Sequence, residues 1–279
     1  MRIARFITLL AVLGAAAFGQ APAEPVYEVY AIRYATLPDF PVSALVKDAD
    51  PSRKIDLAMT VWLVKGNGRN ILVDSGFYHE RFFKDWKLKD FVKPSEALIQ
   101  AGVQPGEITD VIITHMHWDH ADGMDLFPQA NIWIQKDELS YYAGEAWQKK
   151  NTHGGIDPED VQTLVRLNTE GRVSLVNGDN QEILPGVICH TGGRHTYQSQ
   201  YVSVKGKDGT VVLASDNMYL YENLEKHLPI AATLDSASNL RAQDHMKQIA
   251  ASEKFVIPGH DPRVFEKFPA VAARVVRID

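Results

Sequence analysis

Apolar residues alternate with polar ones, or run together, over nine short stretches: 26–33, 58–65, 71–74, 111–114, 131–135, 173–176, 201–204, 211–214 and 254–257. Most are rich in β-branched residues, and runs of this length and period are what strands require. Other segments carry helical signals. Pro94-Ser95-Glu96 opens a short helix that Gly102 closes, because proline fixes a helical φ at the first position and glycine tolerates the turn that ends it. Residues 137–147 and 158–167 read as helices, and 236–252 as a longer one with an apolar stripe through Leu240, Met246 and Ile249. Strands lead and helices follow in each half, which predicts an α/β layered fold of two stacked sheets with helices outside. There is no solenoid period and no long Pro/Gly/Ser linker. Residues 24–279 are therefore expected to form one domain.

The first nineteen residues stand apart. Arg2 and Arg5 precede an uncharged, mostly apolar run from Phe6 to Phe18, too short for the roughly 20 residues that span a bilayer. Small residues follow around Ala17-Phe18-Gly19 and again at Ala21-Pro22-Ala23. Residues 1–19 thus read as a secretory signal peptide, with cleavage as late as residue 23. The mature chain is expected to be exported, periplasmic or secreted, with no stable membrane anchor.

Composition narrows the chemistry. Hydrophobic residues make up 45% and charged residues 23% of 279, ordinary globular usage in a chain long enough to bury a core. The net charge of −6 argues against a general nucleic-acid binder, which needs a basic face. A single cysteine beside ten histidines excludes an intramolecular disulfide framework and a thiolate-rich zinc site. It leaves imidazole and carboxylate as the ligands of any metal.

The histidines are not spread evenly. Val111-Ile112-Ile113-Thr114 is followed at once by His115-Met116-His117-Trp118-Asp119-His120. A strand end followed by a tight turn can aim alternate side chains, His115 and His117, in one direction. Asp119 and His120 then reach a second point close by. Nitrogen and carboxylate oxygen are what zinc accepts in the absence of thiolate.

This segment resembles the HxHxDH signature of the metallo-β-lactamase superfamily, and other parts of the chain are similar to the family in order. Ile71-Leu72-Val73-Asp74-Ser75-Gly76 matches its V-D-[ST]-G turn, Val211 to Asp216 is an apolar strand ending in an acid, and Phe255-Val256-Ile257-Pro258-Gly259-His260 ends in Gly-His. The resemblance implies a four-layer αββα sandwich and two divalent metal ions. One would be held by His115, His117 and His195, the other by Asp119, His120 and His260, with Asp216 between them. Zinc is the first expectation on ligand type, though iron, manganese and cobalt use the same donors. Asp74 would hydrogen-bond a ligand or its loop. The middle histidine departs from the family's T-P-G-H run, and both His190 and His195 are candidates. His195 is preferred because it follows Thr191-Gly192-Gly193, precedes Gln198-Ser199 and lies 21 residues before Asp216. His190 would then be a strand or supporting residue.

Among branches of the superfamily, the chain is most similar to the N-acyl homoserine lactonases. True zinc β-lactamases typically lack an aspartate at the place of Asp216. Only 19 residues follow His260, fewer than the helical extension with which hydroxyacylglutathione hydrolases bind their thioester. Tyr219 stands three residues after Asp216, the offset of a lactone-contacting tyrosine in those lactonases, although it and Tyr221 also read as packed aromatics. The resemblance implies attack on a lactone carbonyl by hydroxide held between the metals. Tyr219 would donate to the carbonyl, and Asp119 or water would protonate the leaving oxygen. An exported phosphotriesterase or arylesterase is the alternative. Residues 140–171, with Tyr141, Tyr142 and Trp147, are expected to lie over the site, their apolar side chains either holding an acyl chain or serving ordinary helix packing. Arg194 reads as a solvated charge. The expected partner is a small-molecule substrate, bound by a monomer or a homodimer, with no nucleic acid.

Overall fold

Two mixed sheets lie face to face in the computed structural model, which describes residues 26–279 apart from 84, 85 and 152. The expected signal peptide lies outside the described residues. In chain order the elements are β1 (Glu28–Pro41), β2 (Lys54–Gly66), β3 (Arg69–Val73), α1 (Pro94–Ile99), β4 (Asp110–Ile112), α2 (Trp118–Ala121), β5 (Asn131–Gln135), α3 (Lys136–Tyr142) and α4 (Pro158–Thr169). There follow β6 (Val173–Val176), β7 (Gln181–Leu184), β8 (Val187–Thr191), β9 (Gln200–Gly206), β10 (Gly209–Ser215), α5 (Tyr221–Lys226), α6 (Ser236–Ile249), β11 (Val256–Pro258), α7 (Val264–Lys267), β12 (Ala270–Ala272) and β13 (Val275–Arg277). The larger sheet runs β12-β13-β1-β2-β3-β4-β5-β6 and the smaller β11-β10-β9-β8-β7.

The side-chain period of a strand explains the layering. Along β10, Val211 and Leu213 face the space between the sheets, where they meet Trp62, Val64, Ile71, Val73 and Ile112 of the larger sheet. Val212 and Ala214 face outward and pack on Ala242 and Met246 of α6. On the opposite outer face, Leu72, Val111 and Ile132 pack on Ala97 and Leu98 of α1 and Leu164 and Leu167 of α4. Helix, sheet, sheet and helix therefore form four layers, as the resemblance implied. Strands buried on both faces read as unbroken apolar runs, which is why β3, β4 and β10 stand out in the sequence.

Some elements differ from the sequence reading. The helix expected over 137–147 breaks at Gly144, whose φ of −148° and ψ of −82° end it. A 3₁₀ turn then takes Glu145–Gln148. Strands β1 and β2 extend well past 33 and before 58, as a long hairpin. Strand β7 carries too little apolar character to announce itself, because it is an edge strand with an exposed start. Among the described residues no helix is long and apolar enough to cross a membrane.

The fold places the site through its parallel pairs. Val73 of β3 is in register with Ile112 of β4, and Ser215 of β10 with Pro258 of β11. All four strands end at one rim of the sandwich, the end of parallel strands at which α/β sheets bind ligands.

Candidate metal centre

The seven expected ligand residues leave these strand ends and the loop after β8, and the structure brings all of them together in two groups. In the first, His117 Nδ1 lies 3.1 Å from His115 Nε2 and 2.8 Å from His195 Nε2. Asp216 Oδ2 completes it, 3.3 Å from His195 Nε2 and 3.7 Å from His115 Nε2. In the second, Asp119 Oδ2 lies 3.5 Å from His120 Nε2 and 3.6 Å from His260 Nε2. The other oxygen of Asp216, Oδ1, faces this group at 3.3 Å from His120 Nε2 and 2.9 Å from His260 Nε2. One carboxylate therefore stands between two donor sets.

The outward nitrogens show what the inward ones can do. His120 Nδ1 donates to Asp74 Oδ2 at 2.8 Å, His195 Nδ1 to the Ala232 carbonyl at 2.7 Å, His260 Nδ1 to the Ala58 carbonyl at 3.1 Å and His115 Nδ1 to Thr114 Oγ1 at 3.0 Å. With the proton fixed on the outer nitrogen, the inner nitrogen of a neutral imidazole carries a lone pair. One proton on His117 Nδ1 cannot satisfy both His115 and His195. Asp216 Oδ1 and His120 Nε2 are buried without a hydrogen bond of good geometry. Buried polar atoms are nearly always partnered, so converging lone pairs and unpaired anionic oxygen fit divalent cations.

The electrostatics divide the two groups. Burial, with His120, His195 and His117 close by, holds the His115 pKa well below its ordinary value. His117 is pushed down to about 3 by burial and by His195. Both are kept in the neutral, ligating form. In the second group, burial opposes charge on His120, but Asp216, Asp119 and Asp74 outweigh it and raise its pKa well above the usual range. His260 is raised in the same way, chiefly by Asp216 against burial. This end of the site attracts positive charge.

Supporting residues fix the loops. Asp74 accepts from Thr114 N at 2.8 Å, Thr114 Oγ1 at 2.9 Å, His120 Nδ1 at 2.8 Å and Ser215 Oγ at 2.9 Å. It joins the ends of three strands, and both it (φ 59°) and Ser215 (φ 48°) adopt left-handed backbone. Such conformations cost on the order of 1–3 kcal/mol each outside glycine and gather at functional sites. Gly193 is required by proximity, since a Cβ there would collide with the backbone of Asn239. Asn217 Oδ1 accepts from Gly193 N at 3.0 Å and Ser199 Oγ at 2.9 Å, closing the loop that carries His195.

His190 lies elsewhere. It sits on β8, stacked on Tyr201 with ring centroids 4.9 Å apart, and its Nε2 bonds Ser203 Oγ at 2.8 Å. Arg194 is exposed beside the Tyr197 ring.

A cavity of about 540 Å³ opens onto both groups. His117, Asp119, His195, Asp216, Tyr219 and His260 line one side. The Tyr219 ring packs against His260 (6.0 Å) and His195 (5.5 Å). Burial and the charges of Asp216 and Asp119 raise its pKa well above the ordinary phenol value, so its proton is retained. The other side is apolar, formed by Leu37, Phe40, Leu45, Leu57, Met59, Trp86, Trp118 and Leu234. Here the sequence reading is corrected. Of residues 140–171 only Gly154 and Gly155 line the cavity. Tyr141 stacks on Tyr197 at 3.9 Å and Trp147 on His153 at 4.2 Å, while Trp147 Nε1 bonds the Tyr142 carbonyl. The wall comes instead from the far end of the β1–β2 hairpin and from Trp86. The sequence signal for it was the apolar positions Leu37, Phe40 and Leu57, just beyond the expected strand ends.

A family model described as the metallo-beta-lactamase superfamily matches residues 56–264. An N-acyl homoserine lactonase from Bacillus sp is 29% identical over 228 residues, covering 76% of this chain and 84% of the relative. The crystal structure of a quorum-quenching N-acyl homoserine lactone lactonase superposes with a TM-score of 0.72 at 23% identity, covering 88% of this chain and 97% of that one. AidC, described as a dizinc quorum-quenching lactonase in complex with a product, superposes with a TM-score of 0.65 at 15% identity, covering 90% and 93%. The two structural likenesses concern the fold.

Proposed function

Because this chain belongs to the metallo-beta-lactamase superfamily and is a hydrolase of it, we propose that it opens the ring of N-acyl homoserine lactones by hydrolysing the ring ester. The observation that carries the reading is Tyr219, a protonated phenol packed between the imidazoles of His195 and His260 on the wall of a half-apolar cavity. The lactonase relatives make this ester the natural candidate.

Two divalent ions, zinc on ligand type, would be held by His115, His117 and His195 and by Asp119, His120 and His260, with Asp216 shared. When bound they supply Lewis acidity that acidifies water and polarises an ester carbonyl. The chain's own residues do the rest. Tyr219 donates to the carbonyl oxygen as negative charge develops on it. Asp119, which lines the cavity, takes the proton of the attacking water and returns it to the ring oxygen as that bond breaks. Leu37, Phe40, Leu57, Met59 and Trp118 receive the acyl chain and keep water from it. Trp118 is itself braced by Phe82, stacked at 4.7 Å.

The test is a panel of lactones of increasing acyl length, an aryl ester and a phosphotriester, assayed on protein of measured metal content. Two zinc ions per chain are expected, with lactones the best substrates. Each methylene that enters the apolar wall contributes about 0.8 kcal/mol, or about fourfold in kcat/KM, until the cavity is filled. Faster turnover of the phosphotriester or aryl ester than of every lactone would overturn the proposal.

Tyr219→Phe is expected to keep both metals and to lower kcat about tenfold, or about 1.4 kcal/mol of barrier. Loss of a sole oxyanion donor costs more, about 10²–10³, but here the metals share the work. The loss belongs in kcat, since the bond strengthens as the oxygen gains charge. Unchanged kcat and kcat/KM on the best lactone would leave Tyr219 a packing residue.

A further inference from the structure

We infer that Glu138 is a positioning residue for the first donor group, a single buried carboxylate that clamps together the two chain segments carrying His115, His117 and His195. It lies in the first turn of α3, yet it is fully buried. Its Oε1 accepts from Met116 N at 3.1 Å and from Thr196 Oγ1 at 2.6 Å, and its Oε2 accepts from Gln198 N at 2.6 Å. Met116 is the residue between His115 and His117, and Thr196 follows His195. The clamp therefore closes on residues next to the ligand histidines in the chain, and none of Glu138, Met116, Thr196 and Gln198 lines the cavity.

An acid at this place is costly. Burial raises the Glu138 pKa, and its three partners are neutral N–H and O–H groups that offset the cost only in part. An apolar side chain under α3 would avoid that cost but leave Met116 N, Thr196 Oγ1 and Gln198 N without their acceptor. Three convergent acceptor bonds instead fix the spacing of two segments whose histidines stand about 3 Å apart at their nitrogens. Metal ligands need this kind of outer support to hold their geometry. In the second donor group, His120 is held by Asp74 and His260 by the Ala58 carbonyl, and the hydrogen bonds of Glu138 go to Met116, Thr196 and Gln198 instead. The clamp should thus act on one metal and spare the other.

Glu138→Gln retains volume and one acceptor oxygen but turns an NH₂ toward a donor, setting donor against donor. In zinc titrations of the full protein against a chromophoric chelator, affinity for one ion is expected to fall about 10–100-fold while the other is unchanged. The spectrum of the cobalt-substituted protein should change with it. Asp110→Asn is the control. Asp110 is equally buried and accepts from Trp133 Nε1, Arg69 and Thr109, but at the opposite end of β4. It should lower the melting temperature and leave both zinc affinities intact. The inference is overturned if Glu138→Gln binds both ions as the wild type does. It is equally overturned if both affinities fall together, in step with melting temperature, in the two variants. It rests on the dinuclear reading and not on the substrate. A failed lactone assay leaves it standing, whereas a wild-type protein that takes up fewer than two zinc ions overturns both.

Discussion

If the proposed dinuclear lactonase site is right, asparagine in place of Asp216 is expected to cost at least one of the two metal ions and about 10³ in lactone turnover, or about 4 kcal/mol of barrier. The side chain keeps its size, so the buried loop after β10 should survive. What changes is the chemistry of its two oxygens. Oδ1 faces His120 and His260, and Oδ2 faces His195 and His115. An amide leaves one oxygen and turns an N–H donor toward lone pairs on the other side. It also removes the negative charge that lets two cations sit close together. Elemental analysis and steady-state kinetics on the same preparation decide the matter. Two metals with undiminished kcat would show that Asp216 is not shared between them.

His195→Ala and His190→Ala should behave as opposites. The first removes a nitrogen that lies 2.8 Å from His117 Nδ1 and 3.3 Å from Asp216, and the first donor group cannot close without it. Loss of that metal and of at least about 10² in turnover is expected. The second removes a ring wedged against Tyr201 and bonded to Ser203 on the outer face of the smaller sheet. That should lower stability by about 1–3 kcal/mol, as cavities in packed regions do, and leave both metals bound. The reverse outcome, with metal lost from the His190 variant alone, would exchange the two assignments.

The legibility of this site follows from how local its chemistry is. His115, His117, Asp119 and His120 lie within six residues, so their pattern survives without the fold. Asp74, Asp216 and His260 could be read because each ends an apolar strand buried on both faces. His195 was harder, since only a glycine pair and its distance from Asp216 set it apart from His190. Glu138 was invisible as anything but a helix residue. Its meaning lies wholly in contacts with Met116, Thr196 and Gln198, which no period in the sequence reports. The aromatics Tyr141, Tyr142 and Trp147 misled for the same reason, because hydrophobicity gives burial but not the direction in which a ring is buried. The register of β1 with β2, which brings Leu37 opposite Leu57 at the cavity wall, depends on bulges that an alternating pattern does not encode.

The bond from Ser215 to Asp74 spans 141 positions of chain and crosses from one sheet to the other. Closing so long a loop is entropically expensive and slow, and its reward comes only after both halves have condensed. A nascent or partly collapsed chain therefore owns the histidines of a metal site but not the site. A zinc ion that bound only the finished molecule would stabilise it by mass action, in proportion to the logarithm of free ion over the dissociation constant. A metal bound at the proposed site would thus be a judge of completed folding, holding the native topology only once the seam between the sheets has closed.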